Sequence, residues 1–302
     1  MHPSGYLMHK YRADGALGSS WHPYTHGSIV APPIQEDETA LVVFVFVQFY
    51  QLSKDSTLIK DFYHTMLKPM TNFLAEYVDD VSGLPKPSYD LWEQTFSTST
   101  YTTSVTYGAL VAASELATVA GDNESAVKWR SAADDIQQAA HKHLFNKDRS
   151  TFYRGINVDN GQVAYDPVID TSSVFSAFMF GLFSADSDEI KASIATLKTT
   201  FNTSADFPGL PRHEDDDYRR SKDDIEGNWW FITTLWQAQY DIENGDVESA
   251  QNILTWVKDC ALSTGMLGEQ VDPVDGAIIA PAPLTWSHAE YVATLIDLLG
   301  RR

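Results

Sequence analysis

The sequence predicts an all-α protein whose helices stand in two concentric rings, an inner and an outer one. Nine segments place apolar residues at a helical period of about 3.6, each with recognisable end signals. These segments come in pairs, and within several pairs one member is more apolar than the other. The linkers are long and carry most of the glycine, proline and histidine. Long loops on a helical scaffold usually hold function.

The first helix follows Pro32-Pro33 and opens on Glu36, Asp37 and Glu38, acids suited to the positive end of a helix. Its continuation, Ala40 to Tyr50, is rich in Val and Phe, yet the acidic first turn and the length favour a helix buried on most sides. The second, Thr57 to Tyr77, lines up Leu58, Phe62, Met66, Met70, Phe73 and Leu74 on one face. The third covers Thr102 to Val119 and stops at Gly121. The fourth, Ser125 to Leu144, carries the alternating charges of a solvated outer face. A β-like stretch, Thr151 to Val158, precedes helices at Thr171–Phe183 and Ser187–Phe201. Trp229 to Glu243, Val247 to Cys260 and Trp286 to Leu299 complete the set. All of this reads as one domain, residues 1–302.

The net charge is −20, from 41 acidic and 21 basic residues, a balance that repels phosphate backbones and anionic lipid. Neither nucleic acid nor membrane is therefore expected as a partner. No apolar run reaches the roughly 18 residues of a membrane span. Aspartate outnumbers glutamate, which fits adaptation to high salt and equally an ordinary acidic protein. The single cysteine, Cys260, excludes an intrachain disulfide. With no signal-peptide pattern at Met1 to Tyr6, a cytoplasmic location is expected, although a secreted protein without disulfides would look the same.

Three loops could carry chemistry: Pro87 to Gln94, Pro211 to Tyr218 with Gly227 to Trp230 behind it, and Gly268 to Pro273 running on to Ala282–His288. Each sets carboxylates beside aromatic rings, as a sugar site requires. Glycosidic cleavage takes one protonated carboxyl for the leaving oxygen and a second, ionised one acting from the other face. Glu93 beside Trp92 would lose solvation and become the better acid; Glu269, in a polar loop, would more easily stay ionised. Bland readings stand next to these. Glu93 also reads as a first-turn acid of a helix, Glu214 to Asp217 as a solvated loop, and Asp272 to Gly276 as a turn. His141 and His143 point in different directions on a helix, and no cofactor or metal set is evident.

Taken in order, these segments resemble glycoside hydrolase family 15, the glucoamylases and their relatives, over nearly the whole chain. Asp90-Leu91-Trp92-Glu93 is similar to the family's general-acid motif, and Glu269-Gln270 with Pro283-Leu284-Thr285-Trp286-Ser287-His288 to its general-base motif and companion. Ile34 to Leu41 is similar to a segment that begins an inner helix, and Asp170-Thr171-Ser172 to another helix start. Arg212 with Asp216 and Tyr218, ahead of Asn228-Trp229-Trp230-Phe231, looks like the family's sugar-binding loop. The resemblance implies Glu93 as proton donor and Glu269 as base, with Trp92, Gln94, Arg212, Trp230, Tyr89 and Asp37 binding substrate. It implies an (α/α)6 barrel of six inner and six outer helices, and an exo-acting, inverting α-glucoside hydrolase releasing β-glucose from α-glucans or malto- and isomalto-oligosaccharides. A trehalase-like branch also exists, and a sugar-binding remnant is the reading from another class.

Departures from the pattern are Gln94 in place of a second glutamate, Trp229 for a proline and His213 for a tyrosine. The family's early Trp-Pro-Arg-Asp motif is absent from these 302 residues, and nine helices stand where the fold has twelve. The chain is therefore expected to hold about the C-terminal three quarters of the barrel and to expose apolar helix faces. A homo-oligomer or a missing N-terminal segment would cover that open edge.

Overall fold

The computed structural model describes residues 1–27, 29–204 and 206–300. It is all-α with short strands, and its backbone groups into two compact units. One comprises Met1–Phe145, Tyr153–Pro167 and Met179–Leu182; the other Asn146–Phe152, Val168–Phe178 and Phe183–Arg302.

The first unit begins with an arm lacking helices. Helix α1 (Glu36–Ser53) follows, then α2 (Ser56–Phe62), a π turn (Tyr63–Leu67), α3 (Lys68–Glu76), α4 (Thr100–Val119) and α5 (Asn123–His143). The helix expected over Thr57–Tyr77 is thus one path with a widened turn in it. Pro69 sits at the start of α3; without an N–H and with a bulky ring it cannot continue an α ladder, and the π turn absorbs the break. Ser99 caps α4, its Oγ accepting the Thr102 N–H at 3.0 Å. Asp122 caps α5 and also receives Lys68 Nζ at 2.6 Å and Tyr63 OH at 3.0 Å. The Lys68 ammonium holds the Asp122 carboxyl well below the usual range. Helix α4 is buried along almost its whole length. Gly108 lets Phe180 approach so closely that a Cβ would meet its backbone oxygen at 3.0 Å. Helix α5 buries Ala126, Trp129, Ala133, Ile136 and Ala140 and turns its charges outward, as the alternation predicts.

Helix α1 corrects one expectation. Ala40, Val43 and Val47 are buried, but Val42, Val45, Phe49 and Leu52 form a second stripe, with Leu52 85% exposed. It is therefore buried on one side rather than most, and the run of Val and Phe that would suit a strand stays helical. A four-stranded sheet completes this unit, ordered Ser88–Tyr89, Phe96–Ser99, Gly155–Asp159, Gln162–Asp166, all neighbours antiparallel.

In the second unit lie α6 (Thr171–Met179, its last residue excepted), α7 (Asp188–Thr200), α8 (Phe231–Glu243), α9 (Val247–Cys260) and α10 (Thr285–Gly300). Phe231, Leu235, Ala238 and Ile242 of α8, with Ile253, Leu254 and Val257 of α9, form its core with Val271 and Leu298. Val292, Ile296 and Leu299 of α10 are exposed. Asp170 Oδ1 accepts the Ser172 N–H at 2.8 Å and so starts α6. Among the described residues no helix is long and apolar enough to cross a membrane.

Candidate active site

The chemistry-bearing residues fall in two groups, one in each unit. In the first, Asp90 builds a tight turn. Its Oδ1 accepts the N–H groups of Gln94 at 2.8 Å and Thr95 at 2.9 Å, and its carbonyl accepts that of Glu93 at 2.9 Å. Glu93 takes φ +59° there, a left-handed conformation costing a non-glycine residue about 1 kcal/mol, and such strain collects at functional sites. A strand follows before α4 begins, so Glu93 is not a first-turn helix acid. The loop is tied to the start of α1: Gln35 Nε2 donates to Asp90 O at 2.9 Å, the Tyr89 N–H to Ile34 O at 3.2 Å, and the Glu36 N–H to Ser88 Oγ at 3.2 Å.

This brings Asp37, Glu38, Asp90 and Glu93 together. Asp37 is buried; desolvation pushes its carboxyl up to about 7, its own backbone N–H opposing and the charges of Asp90 and Glu93 adding. Glu38 is pushed up to about 8, by burial and then by Asp37 and Glu93. The acids that suit a helix start are thus also a buried, proton-retaining cluster. Trp92 is 7% exposed, whereas 37% of the Glu93 side chain meets solvent. The expected desolvation of Glu93 by its tryptophan neighbour is therefore limited. Gln94 is exposed. Tyr89 has one ring face covered by His22 at 3.8 Å and meets His26 and Phe96 edge-on.

That stack comes from the N-terminal arm, where His22 and His26 read from sequence as loop or core histidines and His9 carries no signal. His22 also stacks on His9 at 4.0 Å, and His9 Nε2 lies 3.5 Å from Glu93 Oε1. Burial, and next the neighbouring His9, lower His22 to about 4. No local signal marks His9, because its partners lie far along the chain.

In the second unit Arg212 and Asp216 form a buried bidentate pair, Nε to Oδ2 at 2.8 Å and Nη2 to Oδ1 at 2.6 Å. The guanidinium lies 4.9 Å from the Trp230 ring centroid and 5.0 Å from that of Tyr218. Trp229–Trp230 pairs antiparallel with Gln270–Val271, placing Trp230 opposite Gln270. Asn228 Nδ2 donates to Gln270 Oε1 at 2.6 Å. The structure thus brings Arg212, Trp230 and the Glu269 loop together. The acidic run is not a uniform solvated loop: Asp216 is buried, while Glu214 receives both Arg149 nitrogens, at 2.8 and 2.6 Å, and the Ile169 N–H.

The Glu269 loop is clamped by the companion segment. Ser287 Oγ donates to Gly268 O at 2.7 Å, the Leu267 N–H donates to His288 Nε2 at 3.1 Å, and the Leu284 N–H donates to Leu267 O at 2.9 Å. Gly268 is required here, since a Cβ would meet Ile278 Cγ2 at 2.4 Å. Asp272 and Asp275 accept the N–H groups of Val274 and Ala277 at 2.8 and 2.9 Å, which makes that segment a turn. Glu269 is half-buried. Burial raises its carboxyl above the ordinary value, and Arg212 and Arg219 oppose without cancelling the effect. The expectation of an easily ionised Glu269 is thus corrected in direction, because its loop is less open than its polar composition suggests.

The family model described as glycosyl hydrolases family 15 matches residues 9–244 and 240–295. The chain belongs to that family. An uncharacterized glycosyl hydrolase of Methanocaldococcus jannaschii is 24% identical over 293 residues, covering 93% of this chain and 44% of the relative. A glucoamylase of a Clostridium species is 26% identical over 264 residues, covering 77% and 36%. The chain therefore spans less than half the length of these two relatives. A bacterial glucoamylase solved with acarbose superposes with TM-score 0.73 at 21% identity, over 90% of this chain and 42% of that one. The fold is the all-α, (α/α)6-barrel class of the family 15 structures.

Proposed function

We propose that the chain is the hydrolytic part of an inverting, exo-acting α-glucosidase, releasing β-glucose from α-glucans or malto- and isomalto-oligosaccharides. The observation that carries this reading is the clamped Glu269 loop paired in one unit with the buried Arg212–Asp216 pair and Trp230. Such an arrangement offers a fixed carboxylate, hydroxyl-binding charge and an aromatic face to one sugar. The proposed role of Glu269 is to take a proton from the attacking water. Glu93 gives its proton to the leaving oxygen as that bond breaks, from a turn that solvent can reach for reprotonation. Trp92, Gln94, Tyr89 and Asp37 are proposed on the substrate side of that turn. Both units act as one catalytic domain in this reading. The acarbose complex of the bacterial relative supports a small carbohydrate as substrate.

Purified chain incubated with maltose, isomaltose and trehalose tests the proposal. Cleavage of maltose or isomaltose with β-glucose as first product by NMR is expected; an α-anomer refutes inversion, and activity confined to trehalose supports the trehalase-like alternative. Glu93→Gln and Glu269→Gln should each lower turnover on the order of 10²-fold or more with the fold retained. The exposed stripes on α1 and α10 favour a second reading, a sugar-binding remnant needing a covering segment or a second copy. Sugar binding without turnover by folded wild-type chain would establish it.

A further inference from the structure

His9 is fixed on every side but one. Its side chain is 2% exposed. Nδ1 lies 2.9 Å from Ser20 Oγ, one ring face stacks on His22 at 4.0 Å, and the Trp21 ring meets it at 4.7 Å, nearly perpendicular. Lys10 Nζ caps the far side of this cluster, 3.6 Å over the Trp21 ring. His22 is itself anchored on Tyr89, one strand position from the Asp90 turn. The arm is held in place from its start: Gly5, at φ +98°, leaves room for Pro69 O, which a Cβ would meet at 2.2 Å. The Leu7 N–H donates to Thr39 Oγ1 at 2.9 Å. The other ring nitrogen, Nε2, has Glu93 Oε1 as its ion-pair neighbour, 3.5 Å away.

A glutamate on an exposed turn has three rotatable side-chain bonds and no intrinsic orientation. A general acid works only within hydrogen-bond reach of the atom it protonates, and misplacement by an ångström costs heavily. The groups near Glu93 on its own side of the chain are the acids Asp37, Glu38 and Asp90, and among the described residues none of them is hydrogen-bonded to its side chain. On the other side, among the described residues, His9 alone comes within ion-pair distance of it. We propose that His9 is a positioning residue for the proton donor: its tethered imidazole orients the Glu93 carboxyl before transfer and stabilises the carboxylate that transfer leaves. This rests on the reading of Glu93 as donor. In that step the Glu93 proton passes to the glycosidic oxygen as the C1–O bond breaks, and water supplies the new C1–O bond.

His9→Phe keeps a buried aromatic ring in the stack and removes Nε2. Its rates are to be compared on maltose, whose leaving group needs a proton, and on α-glucosyl fluoride, whose fluoride leaves with little help. On maltose we expect kcat to fall about 10- to 100-fold with KM within about twofold, while fluoride hydrolysis changes less than about threefold. Ser20→Ala, which removes only the Nδ1 tether, should give a smaller loss with the same substrate selectivity and covers the case in which His9→Phe misfolds. Equal losses on both substrates, or no loss on maltose, overturn the proposal. An arm independent of turnover follows the His9 Nε2 resonance by ¹⁵N NMR. Glu93→Gln should move it, and an unmoved resonance also overturns the proposal. A wild-type chain that cleaves neither glucoside refutes the exo-acting α-glucosidase reading instead, and the NMR arm then decides whether His9 engages Glu93.

Discussion

Asp37→Asn is the substitution from which the most can be learned about the acidic start of α1. Asp37 is 2% exposed, and its Oδ1 has no hydrogen-bond partner among the described residues. Burial raises its carboxyl from 3.8 to about 7. An unfolded aspartic acid ionises near pH 4. Between that pH and about 7 the folded chain holds a proton that the unfolded chain has released. Stability from this residue is therefore greatest below pH 4, declines as pH rises, and is fully lost above about pH 7. Roughly three units at about 1.4 kcal/mol each set the scale near 4 kcal/mol. Asparagine imitates the protonated side chain at every pH. The variant should match wild type at pH 4 and exceed it at pH 8, by up to about 4 kcal/mol. Glu38 shares the titration, so a gain as low as about 1.4 kcal/mol, one unit's worth, remains consistent. Urea unfolding followed by tryptophan fluorescence at pH 4, 6 and 8 measures it. A difference that does not change with pH, or that favours wild type more at pH 8 than at pH 4, refutes the reasoning.

Other residues give sharper local tests. Asp216→Asn leaves the Arg212 guanidinium buried without its counter-charge and should cost about 3–5 kcal/mol in urea unfolding; a loss below about 1 kcal/mol would mean solvent reaches the pair. Ser287→Ala removes the bond to Gly268 O and should cost about 1–3 kcal/mol by leaving a buried carbonyl unsatisfied, with faster amide exchange at Glu269 than in α9. Arg219→Gln removes an exposed cation that opposes the burial of Glu269. The acid limb of the pH–kcat/KM profile should move to higher pH in this variant, and the effect should fade in molar salt.

The helices were legible because periodicity survives in one sequence, and their ends because caps are local: Ser99, Asp122 and Asp170 each bond an N–H two or three residues on. The π turn at Tyr63–Leu67 was foreshadowed by Pro69, yet the apolar period runs straight through it. The Glu269 loop was legible as a motif, and the geometry gives the reason: Ser287, His288 and Leu284 bond backbone groups at 267 and 268, so the two segments form one device. His9 was not legible. Its meeting with Glu93 depends on how the arm lies on α1 and α3, and neither residue carries a local pattern that announces the other. The same holds for Arg219, whose influence on Glu269 needs the fold.

The setting of the two carboxylates bears on how their roles can arise. Composition suggests a desolvated Glu93 and a solvated Glu269, and the structure has the reverse: Glu93 is 37% exposed and Glu269 is half-buried with its carboxyl raised. Arg212 cannot fully offset that burial, because Asp216 neutralises it at hydrogen-bond distance and itself raises Glu269. Ionisation of the proposed base then leans on Arg212 first and next on the exposed Arg219. In the proposed reading Glu93, open to water, regains its proton readily between turnovers, and a bound sugar is what would strip its solvent. Desolvation of the donor would thus come with the substrate rather than stand ready in the free chain, and a residue that fixes its direction in the meantime, as His9 is placed to do, matters more than one that merely buries it.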